Sequence, residues 1–477
     1  MPGALIGLIF VALLGACAGS FLNVVIYRLP RDLSPSAPAR SFCPSCESRI
    51  AWYDNIPVVS WLILSGRCRR CGSGISVGYP IVELLSAAAA VVLFDALFLS
   101  RLRAGIGPAA GDWPIGLAYA VLIWGLIAAS TIDIEHYSID LRITWLVVGM
   151  GVAMHTLWAS SERPEYPFEY PRPWDGTALA SMGAVAGLVV VWLLRLPRYR
   201  AESTLEMTDE RGLPVGPPPG VRRREPAPGV GLRVAVVVGA ATVAALVAVA
   251  GVAAATGRAD QDFWVRALLS AALGFAAIVG AGMAWRQADQ EIVEAIEKER
   301  HDARRRMVRE LVMLAPAVWL AVLAAALVGW SDGVARWWSG ALGWAPIGSW
   351  RPVLGVCTSL SGFAAAGAIG WGVRIVFTLA LGKEAFGMGD VHLMAAAGAV
   401  VGWPTVLIGF FLASPLALAG VLILLVRKRT RAIPFGPWLS LGVWIAVLYY
   451  ERIVGWAAPF LSAAGDGYGP LGRATGG

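Results

Sequence analysis

The chain has 477 residues, of which 57% are hydrophobic and only 15% are charged. Its many runs of about 20 apolar residues have the length that spans a bilayer core, which argues against a single soluble core. The formal net charge of +7 does not require a nucleic-acid partner, because basic loops of a multispanning protein fix its topology and contact anionic lipid.

The apolar runs predict an all-α polytopic membrane protein with about twelve transmembrane helices. No Lys or Arg precedes the first run, so it lacks the basic region of a cleaved signal peptide and is expected to be an anchor with an outside N-terminus. The predicted spans are residues 3–27, 81–99, 114–132, 143–159, 177–194, 234–256, 267–284, 311–330, 353–381, two between 391 and 426 on either side of Trp403-Pro404, and 435–450.

The loops between the predicted spans alternate in charge. Short loops that stay in the cytoplasm are enriched in Lys and Arg, so the basic loops are predicted to be cytoplasmic. Most of the 39 Lys and Arg residues lie in alternate segments, namely 28–80, 134–142, 195–233, 285–310, 382–390 and 427–434.

The first of these segments holds two CxxC pairs, Cys43-Pro-Ser-Cys46 and Cys68-Arg-Arg-Cys71. Paired CxxC knuckles are typical of structural zinc sites, in which four thiolates complete a tetrahedral shell. Two disulfides, a redox CxxC or free thiols would use the same residues. The predicted cytoplasmic location favours zinc, because disulfides seldom persist there.

Asp133 ends the third predicted span at the cytoplasmic boundary. An ionisable side chain at membrane depth is costly, so it is usually retained for function and needs a partner. Asp140 lies seven residues later, two helical turns if the helix continues, and therefore competes with Asp133 for the same role.

Residues 160–352 contain four of the predicted spans and two hydrophilic parts. Segment 195–233 is rich in Pro and Gly and is predicted to be a disordered linker. Segment 291–309 has acidic residues first and basic residues last, as a solvated helix favours. An even number of spans returns the chain to the same side, so this segment is expected to pack as a lateral module and to be dispensable for the chemistry of the rest.

The sequence Gly387-Met-Gly-Asp390 places a second carboxylate at a cytoplasmic boundary, where the chain enters an apolar segment. Two carboxylates that share one water and one proton hydrolyse peptide bonds, because neighbouring like charges push their pKa values apart and leave one as base and the other as acid. Gly387 and Gly389 let the backbone approach a substrate closely. Asp133 and Asp390 therefore predict an aspartyl protease working at a membrane.

Arg374 is one of few charges inside a predicted span. We expect it to snorkel to the cytoplasmic interface or to form a salt bridge with a catalytic carboxylate.

Six short segments, which occur in the family's order along the chain, resemble the bacterial type IV prepilin peptidases. These enzymes, also called leader peptidase/N-methyltransferases, are GxGD aspartyl membrane proteases. The resemblance covers roughly residues 1–160 and 353–450, and the segment 160–352 is an insertion relative to an ordinary family member. Two positions depart from the family pattern: Ser138-Ile-Asp140 replaces the usual Pro-Asp, and His392 replaces the usual Lys after GxGD. The six segments are Gly19–Pro30, Asn55–Trp61 between the CxxC pairs, Tyr79–Leu85, Thr131–Asp133, Gly382–Asp390 and Ile433–Pro437.

The resemblance implies that Asp133 and Asp390 are the catalytic aspartates and that the four cysteines bind structural zinc. It further implies prepilin or pseudopilin substrates of type IV pilus or type II secretion systems, cut on the cytoplasmic face of the bacterial inner membrane. Methylation of the new N-terminus with S-adenosylmethionine is implied by the resemblance alone, since no glycine-rich nucleotide fingerprint is present. The alternative is a non-catalytic membrane transporter or assembly scaffold with a zinc-bound docking loop.

These inferences divide the chain into six parts. The first span (1–27) is followed by a cytoplasmic zinc-binding domain (28–80) and a transmembrane core with the first aspartate (81–159). The inserted module (160–352), a second core part with GxGD (353–450) and a flexible tail (451–477) complete the predicted organisation.

Overall fold

The computed structural model describes residues 2–36, 40–103, 105–158, 183–189, 303–330, 351–382, 386–426 and 434–463. Within these ranges every regular element is a helix, apart from two isolated β-bridges, so the predicted all-α class is confirmed for the described part of the chain. In chain order the α-helices are α1 (Pro2–Arg28), α2 (Val59–Ile63), α3 (Gly78–Phe94), α4 (Ala109–His136), α5 (Leu141–Trp158), α6 (Ala303–Trp330), α7 (Arg351–Leu381), α8 (Met388–Val401), α9 (Trp403–Val426) and α10 (Gly436–Ala463).

Six of the described helices are long and apolar enough to cross a bilayer, and they are α1, α3, α4, α5, α7 and α9. α8 is apolar but has only 14 residues, about 21 Å at 1.5 Å per residue, which is shorter than a bilayer core of roughly 30 Å. Glu310–Ala324 within α6 is a second short apolar segment. The predicted count of twelve spans is not confirmed, since 234–256, 267–284 and most of 177–194 lie outside the described residues.

α10 extends beyond the predicted last span. The helix runs from Gly436 to Ala463 with a non-helical kink at Tyr449, whereas the sequence predicted a span over 435–450 and a flexible tail over 451–477. Ile453 packs against the buried cluster of Ala96 and Leu448, and this apolar contact favours continuation of the helix.

The core is centred on α8. Nearly all of its residues after His392 are buried, and they pack between α7, α5 and the segments of α4 and α10 that share the largest apolar cluster. Gly362 of α7 and Gly398 of α8 face each other so closely that a Cβ on either would meet the other backbone. Small residues at such a crossing let the two helices approach closely. This contact fixes the helix that begins with the GxGD sequence.

α1 packs on α3 through a similar crossing. A Cβ added to Gly19 would lie 2.6 Å from the Cα of Glu83, and one on Gly15 would lie 2.8 Å from the Cα of Ala87. The Asn23 side chain donates to the Tyr79 carbonyl at 3.0 Å. The end of α1 therefore lies beside the start of α3, and the two ends of the loop that joins these helices are close together.

Candidate active site

Asp133 lies in the last turn of α4 and its side chain is buried. The helix ends because Tyr137 adopts a left-handed conformation (φ 53°) and donates its N–H to the Asp133 carbonyl at 2.9 Å. Such a cap satisfies one of the carbonyls that a helix end leaves unpaired. The carboxylate itself accepts the backbone N–H of Gly436, at the start of α10, at 3.2 Å.

Asp390 is the third residue of α8 and is also buried. Its carboxylate lies beside Gly387, the residue at the N-cap, and a Cβ added to Gly387 would lie 3.0 Å from Oδ2 of Asp390. An acidic side chain at the third helical position next to the N-cap is the placement found in a capping box. Among the described residues, Oδ1 of Asp390 has no hydrogen-bond partner, so this buried oxygen is available for a further one.

The structure places the two carboxylates beside one common side chain. Ile139 lies against Gly389, which precedes Asp390, and against Gly436, whose amide donates to Asp133. A Cβ added to Gly389 would lie 3.0 Å from the Cβ of Ile139, and one on Gly436 would lie 3.3 Å from its Cδ1. Asp133 comes from the end of one helix and Asp390 from the start of another, as the sequence predicted.

Gly387 and Gly389 have distinct local surroundings. A Cβ at Gly387 would lie 3.0 Å from the Asp390 carboxylate, and Gly389 leaves room for Ile139. Gly387 has φ −66°, which any residue adopts, so close packing accounts for glycine here and backbone freedom does not. Their predicted proximity to a substrate stays a prediction.

The segment Ile433–Pro437 was among the family-like segments, but the sequence did not predict the contact of Gly436 with Asp133 or the aromatic cluster beside it. Each aspartate lies beside a glycine that follows a phenylalanine, Phe386-Gly387 for Asp390 and Phe435-Gly436 for Asp133. The two phenylalanine rings pack edge to face at 5.6 Å, and both contact Phe410. The repeated Phe-Gly dipeptide is the signal in the sequence that would have found this pair.

Asp140 follows the end of α4 and is bound by Arg142. α4 ends at His136, so the helix does not continue to Asp140 and the argument from a shared face fails. Arg142 binds the Asp140 carboxylate through Nη2 at 2.7 Å and also donates to the Leu29 carbonyl at 2.7 Å. Burial raises the pKa of Asp140, but the side-chain and backbone hydrogen bonds from Arg142 outweigh burial and lower that pKa below its usual value.

Arg374 has two partners that the sequence did not predict. Its guanidinium forms an ion pair with Glu310 of α6 at 3.1 Å and donates to the backbone carbonyl of Phe386. Glu310 belongs to the insertion, so the predicted lateral module contacts the GxGD turn through Arg374.

The four predicted zinc ligands lie together, with all their sulfur atoms within 4.8 Å of one another. The Sγ atoms of Cys43 and Cys71 are 3.9 Å apart. Four thiolates at about 2.3 Å from a zinc ion would be separated by about 3.8 Å in a tetrahedral shell. The donor set and its spacing therefore fit zinc.

The two CxxC pairs have the same backbone geometry. Cys43 and Cys68 each donate their N–H to the carbonyl of the serine five residues later, at 3.0 and 2.8 Å. Each turn contains a left-handed residue four positions after the first cysteine, Glu47 or Gly72. Burial raises the pKa of Cys43, but backbone hydrogen bonds, from Cys46 and then Ser45, outweigh burial and bring that pKa to about 6. A thiol with this pKa is largely thiolate at neutral pH, the form that binds metal.

The cysteine-containing loop is attached to α3 by a buried carboxylate. Val58 donates its N–H to Glu83 at 2.7 Å, while φ +63° and ψ −50° place Val58 in a tight turn closed by Val59 N–H to the Pro57 carbonyl. Positive φ is costly for a β-branched residue. The Glu83 contact offsets part of that cost and holds the loop near the start of α3.

Comparisons with known proteins support the resemblance drawn from the sequence. Residues 13–97 match the family described as the bacterial peptidase A24 N-terminal domain. The prepilin leader peptidase/N-methyltransferase of Myxococcus xanthus is 40% identical over 184 residues, 38% of this chain and 46% of that protein. Proteins of the same name from Dichelobacter nodosus and Stutzerimonas stutzeri are 35% and 34% identical, over 31% and 38% of this chain and 56% and 60% of their own length.

The chain thus spans about half the length of the curated relatives that it matches. No solved structure matches it significantly. The similarity to the prepilin peptidase family that the motifs predicted is confirmed.

Proposed function

We propose that this chain, a relative of the prepilin leader peptidases, cleaves the leader peptide of type IV prepilins or pseudopilins with Asp133 and Asp390 as its catalytic pair. The observation that carries the proposal is that two buried carboxylates lie at helix ends around the Ile139 side chain, Asp133 bound by the Gly436 amide and Asp390 beside Gly387. Buried like charges in one site are the arrangement in which one carboxyl stays protonated while the other ionises.

The reaction proposed is hydrolysis by a shared water. A prepilin inserted by its apolar N-terminal helix would present the scissile bond at the cytoplasmic boundary. One carboxylate removes a proton from the attacking water, and the other, kept protonated, donates to the developing oxyanion of the carbonyl. The amide of Gly436 holds the Asp133 carboxyl group in place during this exchange.

A second activity, methylation of the new N-terminus with S-adenosylmethionine as donor, belongs to the same proposal. It is supported by the names of the relatives, leader peptidase and N-methyltransferase, and by the family resemblance of the motifs. No described residue is assigned to methyl transfer.

The zinc proposed for Cys43, Cys46, Cys68 and Cys71 is structural. Four thiolates fill a tetrahedral shell and leave no open position for a substrate. The ion would link the two CxxC turns and so stabilise the cytoplasmic domain over residues 28–80.

The proposed setting is the bacterial inner membrane, with twelve spans, the domain borders derived from the sequence and the active site facing the cytoplasm. The charge alternation of the loops supports this orientation. Lipid and the prepilin are the partners, and no nucleic acid is required.

Incubation of membranes containing the chain with a type IV prepilin and S-adenosylmethionine tests both activities. Mass spectrometry of the product is expected to show loss of the leader and a gain of one methyl group at the new N-terminus. Leader loss without methylation would reject only the second activity. An unchanged prepilin would reject the protease and favour the scaffold alternative.

A further inference from the structure

A row of polar contacts connects the inserted segment to the GxGD turn. Glu310, on α6, accepts two hydrogen bonds from Arg374 on α7, Nε to Oε2 at 3.2 Å and Nη2 to Oε1 at 3.1 Å. The two side chains are only 16% and 6% exposed. Trp371 donates its indole N–H to the same Glu310 carboxylate at 3.4 Å. The insertion thus supplies a nearly buried carboxylate to a helix of the family-like core.

The other side of the guanidinium reaches the active site. Nη1 of Arg374 donates to the carbonyl of Phe386, and Phe386 directly precedes Gly387, the N-cap residue of α8. Gly387 lies against the Asp390 carboxylate, since a Cβ added to it would lie 3.0 Å from Oδ2. Arg374 therefore binds the residue next to the one that contacts Asp390.

The geometry of an arginine makes these contacts interdependent. The guanidinium is planar, so a carboxylate that occupies Nε and Nη2 also fixes the direction of Nη1. A buried ion pair adds little net stability, whereas removal of one partner leaves an uncompensated charge that seeks other contacts. Without Glu310, Arg374 would keep its charge but lose the contact that aims Nη1 at Phe386.

We propose that Glu310 is a positioning residue for Asp390. It orients Arg374, which holds the Phe386-Gly387 turn and so sets the position of the catalytic carboxylate at the start of α8. This inference rests on the proposed protease function, and it makes the inserted segment a working part of the active site.

The test uses the full chain in membranes and the variants Glu310→Gln and Arg374→Lys. Glutamine keeps the shape but removes the charge, and lysine keeps the charge but cannot contact Glu310 and Phe386 together. Each is expected to lower kcat for leader cleavage about 10- to 100-fold, the effect of a small misplacement of a catalytic group, with KM changed less than about twofold. The double variant should be no slower than Arg374→Lys alone, because both changes break one relay.

Two controls separate positioning from general damage. Leu311→Ala changes an exposed side chain on the next residue of α6, and Glu451→Gln removes a charge from an exposed position of α10. Both should cleave at the rate of the unmodified chain. Hydrogen–deuterium exchange of the peptide 382–390 gives a readout that needs no activity, and exchange there should rise in Glu310→Gln and in neither control.

The outcomes are distinguishable from failure of the proposed function. Should the unmodified chain cleave and Glu310→Gln or Arg374→Lys match its kcat, the positioning role is overturned while the protease stands. If kcat and the yield of folded protein fall equally in both variants, and exchange of the peptide 382–390 does not rise, the pair contributes to stability alone. A chain without protease activity but with increased exchange in Glu310→Gln would keep the structural relay and reject the catalytic proposal.

Discussion

The Gly436 amide donates to the Asp133 carboxylate, and this contact leaves no room for a side chain at position 436. A Cβ at Gly436 would lie 2.6 Å from the Asp133 Oδ2 and 3.3 Å from the Ile139 Cδ1. We predict that Gly436→Ala lowers the cleavage rate at least about tenfold, because Asp133 must move away from its partner. Gly149→Ala is the matched control, since nothing lies within 4 Å of its added methyl group. Equal rates for the two variants would show that Gly436 does not position Asp133.

Asp140 yields a prediction about pH. Its folded-state pKa is lowered from 3.8, so its contact with Arg142 stabilises the protein above that value and loses this effect as pH falls through the lowered pKa. We expect Asp140→Asn to melt below the unmodified chain at pH 7 and to differ less from it in strong acid. Thermal unfolding followed by tryptophan fluorescence measures both. A gap that widens as pH falls would contradict the assignment.

For individual residues, the sequence predicted the two carboxylates of the site but not the residues around them. Asp133 and Asp390 were predictable because each lies in a local motif at the end of an apolar run. Gly436, Ile139 and Glu310 were not, because they reach the site through contacts between segments far apart in the chain. Hydrophobic periodicity carries no information about which helix ends meet.

Among the elements, the loop with the four cysteines is the one that a ligand would stabilise. We predict one zinc per chain, bound by Cys43, Cys46, Cys68 and Cys71, because their sulfur spacing fits a tetrahedral shell. Chelation should increase hydrogen exchange over residues 41–78 before it affects the helices of the membrane core. Metal analysis of protein purified under reducing conditions checks the stoichiometry. Protein without metal, or with two disulfides instead, would contradict the prediction.

The helices show where span prediction succeeds and where it stops. α4 and α5 follow their predicted spans closely, since long apolar runs determine them. α8 is too short to cross a bilayer of ordinary thickness, and α10 continues past the predicted boundary through Glu451 and Arg452. Packing against neighbouring helices determines the lengths of α8 and α10, and a count of apolar residues contains no information about that packing.

For the whole molecule, the insertion tests topology and catalysis separately. Joining Ala159 to Pro352 removes an even number of predicted spans, so the basic loops 28–80 and 427–434 should stay on one side. The variant should insert normally but cleave slowly, because it lacks Glu310. A reporter fused after Arg431 shows on which side of the membrane that residue lies. A reversed reporter would show that the number of spans in the insertion is odd, and a normal cleavage rate would show that Glu310 is dispensable.

The proposed protease activity depends most directly on the two aspartates acting together. Asp133→Asn, Asp390→Asn and Asp140→Asn should be compared by mass spectrometry of a prepilin incubated with membranes that hold equal amounts of each variant. The amides keep the shape of the carboxyl groups but cannot share a proton, so the first two variants should leave the leader intact while Asp140→Asn removes it. Leader cleavage by either Asp133→Asn or Asp390→Asn, or its loss in Asp140→Asn alone, would contradict the assignment of the catalytic pair.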